Sequence, residues 1–162
     1  MDDKFTYDSD FLIWTQQQAQ ALRALAKSRA DLPNELDLEH VAEEIEDMGK
    51  SELNAVKSRI RNIMIHLIKA ACDPNARAQP HWAIEVRAFH GELIYKVTPA
   101  MHARLDLPAI WRRARKVALA DLAEFGLREP AGLPTDCPFT QEELISDEID
   151  FAALCARVIP VP

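Results

Sequence analysis

A chain of 162 residues, 48% apolar and 28% charged, has the size and make-up of one globular domain and excludes a disordered polyelectrolyte. No stretch approaches the roughly 18 uninterrupted apolar residues of a membrane span, and Met1-Asp2-Asp3-Lys4 leads into no apolar signal region, so a cytoplasmic protein without membrane contact is expected. The net charge of −7 is unevenly spread: five basic against twelve acidic residues in 1–50, twelve against five in 51–116, and two against nine in 117–162. The outer blocks can neutralise the middle one, which weighs against a polyanion partner.

Four glycines and the absence of any strand-length alternation make the periodicity helical, and the expected fold is all-α: a single compact bundle of five or six helices spanning 1–162. Asp8, Ser9 and Asp10 precede a helix expected over 9–28, with Phe11, Trp14, Leu22 and Leu25 on one face. After the loop "ADLPNEL", Asp37 caps a helix carrying Leu38, Val41, Ala42, Ile45 and Met48 as its stripe. Gly49 reads as its left-handed stop and Ser51 as the cap of the next helix, whose apolar face holds Leu53, Val56, Ile60, Ile63, Met64, Leu67, Ile68 and Ala71. So short a link predicts an antiparallel hairpin, acidic on one arm and basic on the other, as the centre of the bundle.

"CDPNARAQP" breaks the pattern, and Trp82, Val86, Phe89, Leu93 and Val97 then mark a helix over about 80–97. Pro99 and Pro108 bracket a short segment. Pro108 opens a helix to Phe125 with Ile110, Ala114, Val117, Ala118, Leu122 and Phe125 inward and Gly126 as its stop. Residues 127–139 hold three prolines and a glycine and are expected to form an ordered loop, and Thr140-Gln141-Glu142-Glu143 is a capping-box sequence opening a short last helix. The tail over 148–162 is apolar enough to pack on the domain or on a second copy. Cys72, Cys137 and Cys155 are odd in number and unevenly spaced, giving neither a disulfide framework nor a metal knuckle, and reduced buried thiols are expected.

Three groups of residues could carry chemistry, the first of them the N-terminal motif of Tyr7, Asp8, Asp10 and Trp14. Glu43, Glu44, Arg59 and His66 form a candidate polar cluster in which the hairpin brings Glu43 and Glu44 towards the level of Val56 to Arg59. The Glu-x-x-His motif of a di-metal helical site is absent, so a metal site would need another arrangement such as Glu44 with His66, and these charges read first as register-setting pairs between two helices. His66 reads as a structural histidine needing a partner. Lys57, Arg59 and Arg61 with Arg112, Arg113, Arg115 and Lys116 form a basic patch that could meet phosphates, with Trp82 and Trp111 as stacking residues, although both tryptophans sit in or beside apolar stripes and read as core. No phosphate loop, dinucleotide fingerprint or nucleophile elbow occurs, and no cofactor is implied.

The segments "YDSDFLIWTQQQAQALRAL", "DLEHVAEEIEDMGKSELNAVKSRIRNIMIHLIKA" and "CPFTQEELISD" together resemble the bacterial family designated domain of unknown function twenty-nine. The likeness spans nearly the whole chain. Its most specific positions are Tyr7, Asp8, Asp10, Phe11 and Trp14, then Ala42 to Glu46, Met48-Gly49, Ser51-Glu52, His66-Leu67, Lys69, and Cys137-Pro138. The resemblance implies a compact helical protein and carries no activity. This chain departs from it at Ala70-Ala71, where the family commonly has an aromatic residue, and in a longer tail from Phe151. The functional expectation is a non-enzymatic interaction protein, with homodimerisation or another protein partner served by an apolar patch that includes the tail. The alternatives are a metal-binding or hydrolytic enzyme using the Glu/His cluster, with Asp8 or Asp10 contributing, and nucleic-acid binding by the basic middle block.

Overall fold

The structure, a computed structural model, describes residues 6–29 and 31–159, with Thr6 described by its backbone. The expectations for Met1-Asp2-Asp3-Lys4 and for Pro160-Val161-Pro162 of the tail lie outside the described residues. The described chain is all-α, with eight helices: α1 (Thr6–Ser9), α2 (Phe11–Ser28), α3 (Leu38–Cys72), α4 (Gln79–Lys96), α5 (Pro99–His102), α6 (Leu107–Glu124), α7 (Gln141–Ile145) and α8 (Phe151–Val158). It divides into two compact units, Met1–Ala55 with Val97–Arg104, and Val56–Lys96 with Leu105–Pro162.

The expected hairpin is not formed. α3 is one helix of 35 residues that runs straight through Gly49 and Ser51. The apolar spacing already contains the reason, because Leu38, Ala42, Ile45, Gly49, Leu53, Val56 and Ile60 continue at intervals of three and four with no proline between them. Gly49 does not take the left-handed conformation; Gly126 is the positive-φ glycine. A helical glycine costs about 1 kcal/mol relative to alanine, and here it serves close approach. A Cβ at position 49 would run into the Thr15 hydroxyl of α2 and lie 3.2 Å from Leu12 Cδ1.

In the first unit, α2 therefore buries Leu12, Thr15 and Ala19, the face that meets Gly49, and not the expected Phe11, Trp14, Leu22 and Leu25 face. Thr15 satisfies its buried hydroxyl by donating to Leu12 O at 2.9 Å. Arg23 of α2 reaches Glu46 of α3 at 3.0 Å and Glu39 at 3.8 Å, which fixes the register of the two helices. Val41 and Met48, expected inside, are exposed. The buried side of the first half of α3 is the narrow line of Leu38, Ala42, Gly49 and Leu53.

In the second unit, the rest of α3 is apolar on several sides: Val56, Ile60, Ile63, Met64, Ile65, Leu67, Ile68 and Ala70 are all buried. α6 buries Ile110, Trp111, Ala114, Ala118 and Leu122, while Val117 and Phe125, expected inward, face solvent, Phe125 at 80% exposure. Its end is a Schellman motif: Gly126, at φ 75°, donates to Ala123 O, and Leu127 donates to Leu122 O. The 127–139 loop is ordered by burial of Leu133 and Phe139 and by the Trp111 indole, which donates to the carbonyls of Pro134 and Thr135 at 3.3 and 3.1 Å. Thr140 and Glu143 complete the capping box of α7. α8, capped by Asp150, buries Leu154 and Val158, and its Arg157 donates to Pro138 O at 2.8 Å.

Candidate functional site

The three residue groups singled out by the sequence meet different fates. Glu43 and Glu44 are exposed on the first half of α3, and with no hairpin the pairing that would bring them towards Arg59 is missing. Among the described residues no group of three or more His, Cys, Asp and Glu side chains could hold a metal ion. In the N-terminal motif, Asp10 caps α2 by accepting from Ile13 N–H at 3.2 Å, and its other oxygen accepts from Ala100 N–H at 3.1 Å, in the first turn of α5. One carboxylate thus ties two helix starts together. Tyr7 packs edge-on against Phe11 and Trp14, with centroids 5.7 and 4.8 Å away, and Asp8 is exposed beside them. In the basic patch, Arg59 is paired with Glu92 and Arg115 with Glu129, while Lys57 and Arg61 are half-buried and Arg112, Arg113 and Lys116 exposed.

His66 has a defined setting in the second unit. Its ring stacks on Phe89 of α4, centroids 5.8 Å apart and planes 10° from parallel, and its Nδ1 is buried without a partner among the described residues. One turn further along α3, the Lys69 ammonium lies 3.1 Å from the Asp121 carboxylate of α6 and 5.5 Å above the Trp82 ring. The order of these contacts, His66 on Phe89 and Lys69 on Trp82, makes α3 and α4 antiparallel neighbours here. Burial pushes the His66 imidazole towards its neutral form, and the Lys69 cation and His81 push the same way, against the pull of Glu85 and Asp121. A neutral, half-buried imidazole can hold or pass a proton. Burial raises the Cys72 and Cys155 thiols to about 11 and pushes Cys137 up as well, so all three stay protonated at neutral pH.

The buried histidine is a different one. His90, on the inward side of α4, is enclosed and pairs through Nε2 with Ser146 O at 2.8 Å, just past α7. Its place between Val86 and Leu93 at helical spacing was the available signal.

Sequence reasoning also missed the outward side of α4. Trp82, Val86, His90 and Leu93 point inward, and Phe89 and Glu85 flank them beside α3. The opposite side carries Ile84, Ala88, Gly91 and Tyr95 at intervals of four, three and four, all exposed, Ile84 at 56% and Tyr95 at 90%. A Cβ built on Gly91 would meet nothing within 4 Å, so no described part of the chain covers the centre of this stripe.

Residues 6–149 match the family described as domain of unknown function DUF29. The chain belongs to the DUF29 family. It is also similar to a solved alpha-helical protein of unknown function from Rhodospirillum rubrum ATCC 11170, with 44% identity, a TM-score of 0.90, and coverage of 96% of this chain and 98% of that one. No protein with a curated description matches. For this DUF29 protein the likeness extends to the all-α fold, and neither description names an activity.

Proposed function

We propose that this DUF29 protein is a cytoplasmic, non-enzymatic interaction domain that receives another protein on the outward side of α4. The observation that carries this reading is the open stripe of Ile84, Ala88, Gly91 and Tyr95. Apolar surface left in water costs about 25 cal/mol per Å² relative to burial, and four aligned positions on one helix are a docking face of the helix-in-groove kind. Tyrosine supplies a large contact area with few torsions to freeze and is enriched at interfaces. The tail is a weaker candidate because Leu154 and Val158, the apolar side of α8, are already used within the chain. The cytoplasmic placement is supported by three free cysteines, and no described helix is long and apolar enough to cross a membrane.

A photo-cross-linking amino acid in place of Tyr95, expressed in the source cells, tests the reading. Covalent adducts with protein are expected at position 95 and are expected to be much weaker for the same probe at Phe125, which is exposed but off the stripe. Absence of adducts at 95, or equal labelling at both positions, contradicts it.

A further inference from the structure

The open stripe on α4 is complementary to itself. In heptad terms Ile84 and Gly91 occupy one seam position and Ala88 and Tyr95 the other, with Arg87 just before Ala88 and Glu92 just after Gly91. When two such helices lie parallel about a two-fold axis, the charged residue before one seam position faces the residue five places further along the partner. Arg87 then meets Glu92 of the partner subunit, and symmetry makes the pair twice. Arg87 is exposed and has no ion pair among the described residues, and the Glu92 side chain is 53% exposed although it also meets Arg59.

The same pattern disfavours the antiparallel arrangement, in which each flank meets its own kind. Glu92 would approach Glu85 of the partner subunit, and Arg87 would lie beside Ile94 of the partner subunit with no anion to meet. Ala88 and Gly91 at the middle are small enough for the two backbones to approach closely, and Ile84 and Tyr95 close the seam at its ends. Nothing of the described chain occupies the space outside Gly91.

We infer that the partner of the α4 face is a second copy of this chain, docked as a parallel two-fold helix pair held by the Ile84, Ala88, Gly91 and Tyr95 seam and by reciprocal Arg87–Glu92 ion pairs. The inference rests on the reading of α4 as the docking face.

Light scattering on the purified chain tests it, with four variants. Wild type is expected to be a dimer, Arg87→Glu and Glu92→Arg each a monomer, and the double charge swap a dimer again. Arg59→Gln, which removes only the ion pair within the chain, is expected to leave the dimer intact. Orientation is read from Ile84→Cys under mild oxidation. In the parallel pair the two introduced thiols face each other and join, whereas in an antiparallel pair eleven residues separate them along the axis, about 16 Å, and they do not. A monomeric wild type, a swap that fails to restore the dimer, or no disulfide at position 84 overturns the inference. Adducts at position 95 in cells together with a monomeric purified chain would overturn self-pairing alone. Absence of both would overturn the docking reading as well.

Discussion

The second half of α3 and the whole of α4 are both apolar on more than one side, yet they use that property differently. From Val56 to Ala70 the side chains Val56, Ile60, Ile63, Met64, Ile65, Leu67, Ile68 and Ala70 are all buried, and Ile60, Ile63, Met64, Leu67 and Ile68 are fully buried. On α4 only the side bearing Trp82, Val86, His90 and Leu93 is enclosed, and the side bearing Ile84 and Tyr95 is open. An all-round apolar helix is a central one or one with surface held in reserve. Packing decides between the two, and it places the reserve on α4.

That contrast can be broken most forcefully at Leu67. Its replacement by alanine removes a fully enclosed side chain and should cost about 2–5 kcal/mol in denaturant unfolding. A loss below about 1 kcal/mol would mean that this stretch of α3 is not wrapped as described.

The two glycines within helices sharpen it next. Gly49→Ala should destabilise by about 1–3 kcal/mol, because the added methyl overlaps Thr15 Oγ1. Combining it with Thr15→Ala should recover much of that loss, a non-additivity that a double-mutant cycle reads directly. Gly91→Ala meets open space, and in dilute protein it should stabilise by about 0.5–1 kcal/mol through helix propensity. Equal responses at the two sites would remove the distinction between an approach glycine and an uncovered one.

The smallest effect is at the contact between the two helices. His66 stacks on Phe89 and its basicity is lowered chiefly by burial, so the unfolded chain takes up this proton first as the solution becomes acidic. Stability contributed by the neutral ring is present above the ordinary imidazole range, near about pH 6.5, and is lost as pH falls below it. His66→Gln should flatten that part of the stability profile. His40 acts in the opposite sense, since Asp37 raises its basicity in the folded chain, so its contribution is present at low pH and fades as pH rises. The difference between wild type and His66→Gln therefore isolates the half-buried ring.

Much of the fold was legible because it follows from local rules. The all-α class, the capping box at Thr140, the stop at Gly126 and the breaks near Pro74, Pro99 and Pro108 each depend on a few adjacent residues. Gly49 was misread because a glycine in a helix and a glycine after one look alike in one dimension, and what distinguishes them is the Thr15 side chain of another helix. The faces of α2 and α6 were misassigned for a similar reason. Aromatic residues attract the inward assignment, yet small Thr15 and Ala19 permit the closer contact on α2, and Phe125 falls past the last turn of α6. Trp111 was read as core and is fully buried. The sequence pointed to His66 as a histidine needing a partner, and its Nδ1 has none among the described residues, while His90, which does have one, passed unnoticed on an apolar face. The α4 stripe escaped notice because its intervals of three and four are of the same helical kind as those of the buried side, and nothing local says which will be covered.

Hydroxyl-radical footprinting of Tyr95 across a protein dilution series tests the docking claim most directly, with Phe125 as an exposed reference in the same molecule. The account predicts that Tyr95 becomes progressively protected as the protein is concentrated while Phe125 does not. Constant, equal oxidation of the two rings at every concentration would contradict it.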